Sequence, residues 1–202
     1  MSSRSANQGL KQMSAFLFLF LPGLAFSQNT KLPVDTATNL VTYQSIKRVP
    51  GVSQDELYKR AKDWLAEMFK ATEYAIQADD KQSGKIISTG VSSAIYRVGN
   101  KQELYYVRYT IIITLIDQRY QYKVKSFRVT FSTIKSVMPV EVYQDPDFSR
   151  INATEEPEKF KRIAIERQKL IASQILGFTD QTGKLLSASL EQAMIKKDKS
   201  KE

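Results

Sequence analysis

Leu104-Tyr-Tyr-Val-Arg-Tyr-Thr-Ile-Ile-Ile-Thr-Leu-Ile116, then Asp117-Gln118, then Arg119-Tyr-Gln-Tyr-Lys-Val-Lys-Ser-Phe-Arg-Val-Thr-Phe131, is the stretch that decides the fold. In its first half Tyr105, Val107, Tyr109, Ile111, Ile113 and Leu115 alternate with residues that include Arg108, Thr110 and Thr114. Period two with one apolar face is a half-buried strand. The second half repeats the pattern. Tyr120, Tyr122 and Val124 form one apolar set, and Phe127, Val129 and Phe131 continue it one residue out of phase. A slip of one residue would turn every later side chain to the wrong face, so the spacing predicts a β-bulge near Lys125–Ser126.

Outward from this hairpin, Ile86 to Val98 is β-branched and Ser-rich and reads as a third strand, with Gly90 as a bulge or bend. Asp79–Gly84 is a polar turn and Tyr74–Ala78 a strand before it. Leu40–Ile46 is a short β-rich segment. Between them Ser53-Gln-Asp-Glu56 has the spacing of a capping box. Leu57, Ala61, Trp64, Leu65 and Met68 then recur on one helical stripe, placing a helix at about 54–71. Residues 136–153 read as a loop with Pro139 and Pro146 and a short strand at Val140–Tyr143. A second helical piece follows Thr154-Glu-Glu-Pro157 and stops at Gly177. A third spans Lys184–Lys196. The order is β-α-β-β-β-β followed by helices: an α+β, two-layer domain with an antiparallel sheet and helices packed on one face. Residues 39–135 make that domain, 136–153 the loop, 154–197 the C-terminal helical region and 198–202 a charged tail.

Leu32-Pro-Val-Asp35, Val49-Pro-Gly-Val-Ser53, the helix Glu56-Leu-Tyr-Lys-Arg-Ala-Lys-Asp-Trp-Leu65, and Asp79-Asp80 with Gly84-Lys-Ile86 and Gly90 together resemble an uncharacterised domain family of exported proteins from Bacteroidetes-type bacteria. That family is described as having a TATA-binding-protein-like (TBP-like) fold. The resemblance spans about residues 32–135 and leaves out the C-terminal third. It implies a curved antiparallel sheet with helix on one side. The family carries no assigned activity, so it implies no functional residues.

Residues 1–27 read as a cleaved secretory signal. Arg4 and Lys11 precede an apolar run at Ala15–Leu21, Pro22-Gly23 break it, and Ala25 and Ser27 are small residues at the spacing signal peptidase needs. The apolar core is about a dozen residues, short of the ~20 a spanning helix requires. Residues 28–38 are a polar lead-in. The remainder is expected to be periplasmic or extracellular, with no transmembrane helix in the mature chain.

The 202 residues contain no cysteine and no histidine. That excludes thiolate nucleophiles, disulfides, Cys/His zinc sites and any imidazole base. The two close aspartate pairs, Asp79-Asp80 and Asp145-Pro-Asp147, lie in polar turns and lack the spacing of a calcium loop. Ser132-Thr-Ile-Lys135 has the Ser-x-x-Lys spacing but follows a strand rather than opening a helix. No catalytic residue, metal site or cofactor is expected. The tyrosines at 105, 109, 120 and 122 could form an aromatic ligand platform or a core with hydroxyls at its rim.

Charge is the sharper signal. The chain carries 30 Lys+Arg against 21 Asp+Glu. Lys101–Lys135 holds seven basic residues and two acids, Glu103 and Asp117. If the odd face of 104–116 points inward, Arg108, Arg119, Lys123 and Arg128 point outward, with Lys125 at the bulge. These five are the candidate ligand-binding residues, for lipid A phosphates, another envelope polymer or an acidic protein. Should the C-terminal helices cover that face, Glu155, Glu156 or Glu158 would have to neutralise it. The expected function is an exported, non-catalytic binding or structural module of the bacterial cell envelope, with no nucleic-acid partner. The alternatives are a scaffold acting through its C-terminal helices and a carboxylate-based enzyme.

Overall fold

The computed structural model describes residues 31–69, 76–133, 136–151 and 153–196. The leader, Tyr74-Ala75, Ile134-Lys135 of the Ser-x-x-Lys spacing and the tail lie outside the described residues. The elements are β1 (Val34–Asp35), β2 (Leu40–Arg48), α1 (Gln54–Phe69), β3 (Ile76–Asp80), β4 (Lys85–Val98), β5 (Lys101–Ile116), β6 (Arg119–Phe131), β7 (Val137–Pro139), a 3-10 turn (Val140–Gln144), α2 (Phe148–Ile151) and α3 (Glu158–Ile195).

One antiparallel sheet runs β1-β2-β6-β5-β4-β3. Beyond the end of β2, β7 takes over the edge of β6, pairing with Arg128–Thr130. The expected bulge is present. Arg108 faces Arg128 and Thr110 faces Lys125, so Ser126 and Phe127 share one place opposite Tyr109. Ser126 sits in the left-handed region (φ 57°). The extra residue restores phase, and Tyr120, Tyr122, Val124, Phe127, Val129 and Phe131 all turn into the core.

The tip of the β5–β6 hairpin also starts α1. The Asp117 carboxylate accepts from the Gln54 amide at 2.8 Å, and Gln118 exchanges backbone bonds with Val49 and Val52. Ser53 Oγ accepts from the Glu56 amide at 3.3 Å, which is half of the expected capping box. The other half is not made, because Glu56 holds Arg60 Nε at 2.9 Å one turn further on. Arg60 in turn donates to the Met194 carbonyl of α3.

Gly90 is not a bulge. Its pairing with Tyr109 belongs to an unbroken register between β4 and β5. A Cβ there would lie 2.3 Å from the Tyr109 ring and 2.8 Å from Phe69. The glycine is a seat for two aromatic rings, and a strand glycine of that kind marks close approach rather than a kink.

The C-terminal region differs most from expectation. Gly177 does not end a helix: α3 is continuous over 38 residues, about 57 Å at helical rise. Each interior glycine costs roughly 1 kcal/mol against alanine. The buried side of α3, which includes Ile171, Ile175, Leu186, Leu190 and Met194, outweighs that cost, since a Leu or Ile side chain contributes about 1.5–3 kcal/mol. Gly183 has a packing reason as well. Its absent Cβ leaves room for the Tyr43 ring, which would otherwise be 2.3 Å away. Within 136–153 the strand falls at Val137–Pro139 and a 3-10 turn replaces the expected strand at Val140–Tyr143. Val140 and Tyr143 are buried while Val142 is exposed. That is the spacing of three that aligns side chains in a 3-10 turn.

Candidate functional site

Both long helices pack on one face of the sheet. Tyr105 donates to the Gln174 carbonyl, Tyr43 to Asp180 and Tyr122 to Glu191, all on α3, and α1 packs beside it on β5. The tyrosines at 105, 109, 120 and 122 are therefore core, not a ligand platform. Burial pushes the phenols of Tyr105 and Tyr120 well above their ordinary range. Glu158 pairs with Lys161 on its own helix, and the helix that follows Glu155 and Glu156 lies against the inner face.

The opposite face is left open, and the pairing register maps it. In successive rows across β4, β5 and β6 stand Val91–Arg108–Arg128, Thr89–Thr110–Lys125, Ile87–Ile112–Lys123 and Lys85–Thr114–Gln121. β2 extends the lower rows with Thr42 beside Lys125 and Gln44 beside Lys123. Neither β2, β4 nor β6 contains an Asp or Glu. The one acid of β5, Glu103, accepts from Tyr96 and Thr133. Those bonds, Thr133 first, hold its carboxyl below the usual range. At the sheet margin the amides of Ala37 and Thr38 depress Asp35, and the charge of Lys123 adds to the effect.

Four of the five expected residues thus come together: Arg108, Lys123, Lys125 and Arg128. Arg108 and Arg128 stand directly opposite each other, both exposed, with no ion-pair partner among the described residues. Like charges facing each other across two strands are destabilising. Arg119 opens β6 four residues before Lys123, on the same outward face with Gln121 between them. It faces Arg48 of β2 and forms a second like-charged pair. Arg48 is the residue that reading the sequence missed. Its alternation places it on a face, but only the non-local pairing of β2 with β6 makes it Arg119's neighbour.

The like-charged pair gives a stability test. Arg128→Thr keeps a good strand former and removes the repulsion. We expect a gain of about 0.5–1 kcal/mol, read as a higher urea midpoint at low salt, with the gain shrinking as salt screens the pair.

The two aspartate pairs are engaged in structure. Asp79 accepts from Tyr58 and Lys62, Asp80 from the Ser83 amide, and Asp145 from the Asp147 amide. A cleft of about 540 Å³ between β1–β2 and α3 is lined by Tyr43, Tyr122, Lys184 and Glu191. Two of its charged groups are paired with residues beside it, Lys184 with Asp180 and Glu191 with Lys47.

An antiparallel sheet with the order β2-β6-β5-β4-β3, α1 crossing between its two edge strands and one face bare is a specific arrangement. Residues 43–130 match the family model described as a domain of unknown function (DUF4468) with TBP-like fold. This segment resembles a DUF4468 domain. The resemblance expected from the sequence holds over the sheet and α1. A DUF4468 family protein from Bacteroides ovatus ATCC 8483 has a similar solved structure, with TM-score 0.56 and 17% identity over 83% of this chain and 92% of that one. A TBP-like protein from Parabacteroides distasonis ATCC 8503 is similar at TM-score 0.51 and 12% identity, over 79% and 96% of the two chains. At these identities the likeness is one of fold. No curated protein matches. Among the described residues no helix is long and apolar enough to cross a membrane.

Proposed function

We propose that this chain is exported and that its open sheet face docks an anionic component of the cell envelope without catalysis. Export is supported by the leader. The absence of cysteine and histidine from the sequence, and the structural engagement of the aspartate pairs, support a binding role rather than an enzymatic one. The observation that carries the docking role is Arg108 facing Arg128 on a face whose central strands hold no outward acid. Such a pair lowers stability unless an anion completes it, so its position points to a ligand.

The test is Arg108→Glu/Lys123→Glu/Arg128→Glu against a charge-matched control, Lys159→Glu/Arg162→Glu/Lys169→Glu on α3. Retention on heparin and capture of material from native envelopes are measured for both. The sheet triple should weaken binding at least ~100-fold, since each lost charge contact contributes on the order of 1–3 kcal/mol. The control should bind like the parent protein. Equal behaviour of the two triples would contradict the proposal.

A second reading, self-association through α3, has one supporting observation: Phe160, Ile163 and Leu170 are exposed on its N-terminal half. On the segment 184–196 Leu186, Leu190 and Met194 are buried within the chain, while Leu185 and Ile195 are exposed. Sedimentation of the full chain over a concentration series decides this reading.

A further inference from the structure

We propose that the occupant of the open face is an acidic amphipathic helix of a partner protein. It lies along β5 with its apolar flank on β4 and its carboxylates over β6. This rests on the basic-face reading and narrows it to one kind of ligand.

The face has two columns rather than a uniform charge. On β4, Ile87, Val91 and Ile95 recur every fourth residue, and Val91 and Ile95 are 50% exposed. On β6 stand Lys123, Lys125 and Arg128. The columns are in register: Ile87 shares a row with Lys123, and Val91 shares one with Arg128. They are two strand spacings apart, about 9–10 Å. That matches the roughly 10–12 Å width of an α-helix, so a helix resting on β5 meets both columns at once.

The apolar column separates this occupant from other anions. A charged polysaccharide gains nothing from Val91 or Ile95. A bilayer presents its phosphates in one plane and its apolar interior behind them, whereas this face sets apolar and cationic groups side by side. An amphipathic helix has that layout. Strands β5 and β6 are hydrogen-bonded on both sides, while the outer side of β4 is paired with β3 only over Lys85–Ser88, so a partner lying over β5 adds no strand there and must arrive with its own backbone satisfied, as a helix does. The other face of this same sheet is already covered by helices. A second copy of the chain is disfavoured because its formal charge is +9 and the face itself is cationic. From Ile87 to Ile95 the column is about 26 Å long, the length of a helix of roughly 18 residues.

The experiment uses the full chain and a fluorescein-labelled peptide of about 18 residues with Leu and Glu at helical spacing on adjacent flanks. A scrambled peptide of the same composition, phosphatidylglycerol vesicles and heparin serve as comparison probes. By anisotropy the ordered peptide should bind at least ~tenfold tighter than the scrambled one. Val91→Thr/Ile95→Thr, which preserves strand propensity, should weaken it about tenfold while leaving heparin retention unchanged. Arg108→Gln/Arg128→Gln should weaken both. Thermal melts confirm that each variant is folded, and a single Val91→Thr replaces the double variant if that one is not. Equal binding of the two peptides, preference for vesicles over the ordered peptide, or no effect of the Thr substitutions overturns the helix proposal. If Arg-dependent heparin retention survives that result, the basic-face reading stands without it. If Arg108→Gln/Arg128→Gln changes nothing, both fall.

Discussion

Trp64→Ala should lower stability by about 3–5 kcal/mol, the range for emptying a buried Phe or Trp site. The side chain is 4% exposed at the centre of the α1 stripe. Its indole N–H donates to Ser189 Oγ of α3 at 3.1 Å. Truncation therefore opens a cavity at the seam of the two helices and removes one of the side-chain bonds across it, leaving that from Arg60 to the Met194 carbonyl. For a chain of this size each kcal/mol moves Tm by about 2–4 °C, so a fall of about 6–20 °C is expected in a melt followed by circular dichroism. Trp64→Phe separates the two contributions. It keeps most of the apolar surface and loses the hydrogen bond, and should cost only about 1–2 kcal/mol. If Trp64→Ala melted like the parent, α1 and α3 would not share a core.

Gly183→Ala should also destabilise, by about 1–2 kcal/mol, although glycine to alanine inside a helix ordinarily gains up to about 1 kcal/mol. The sign reverses because the new methyl would meet the Tyr43 ring at 2.3 Å. That ring is held in place by its neighbours. It is 8% exposed, packs edge-on against Phe127 at 5.7 Å, and its hydroxyl donates to Asp180 at 2.9 Å. Overpacking of a filled site costs about 1–3 kcal/mol. Tyr43→Leu in the same chain should recover most of the loss and leave a non-additive cycle. Urea titrations followed by fluorescence of Trp64, the sole tryptophan, give all four corners. A stabilised Gly183→Ala would mean that α3 does not lie on Tyr43 and is broken where the sequence suggested.

These two residues show what was legible in the sequence. The β5–β6 hairpin, its bulge and the start of α1 were readable because their signals are local: alternation, a phase slip, and Ser53 three residues before Glu56. Trp64 was readable as core from its stripe. The role of Gly183 was not, because it depends on Tyr43, far away in the chain. Gly90 was misread for the same reason, with Tyr109 and Phe69 deciding its use. Val140–Tyr143 satisfied a strand pattern by composition, and only the burial of Val140 and Tyr143 together reveals the spacing of three.

The candidate site divides the same way. That Arg108, Lys123 and Arg128 share a face follows from period two along each strand. That Arg108 faces Arg128 requires the register after the bulge. That Arg119 faces Arg48 requires β2 to sit beside β6. Which face the C-terminal helix covers is set by the hydroxyls of Tyr43, Tyr105 and Tyr122 finding partners on α3. No amphipathic pattern in α3 alone could have said so.

The central claim is that one sheet face is covered by α1 and α3 while the other is where a partner sits. A chain without cysteine allows a direct measurement: single cysteines at Val91 on the open face and at Ile163 on exposed α3, labelled with a maleimide with and without native envelope extract. Both sites should react readily in the isolated protein, and the extract should slow Val91→Cys while leaving Ile163→Cys unchanged. Slowing at Ile163→Cys with Val91→Cys unaffected would place the partner on the helical side and contradict the account.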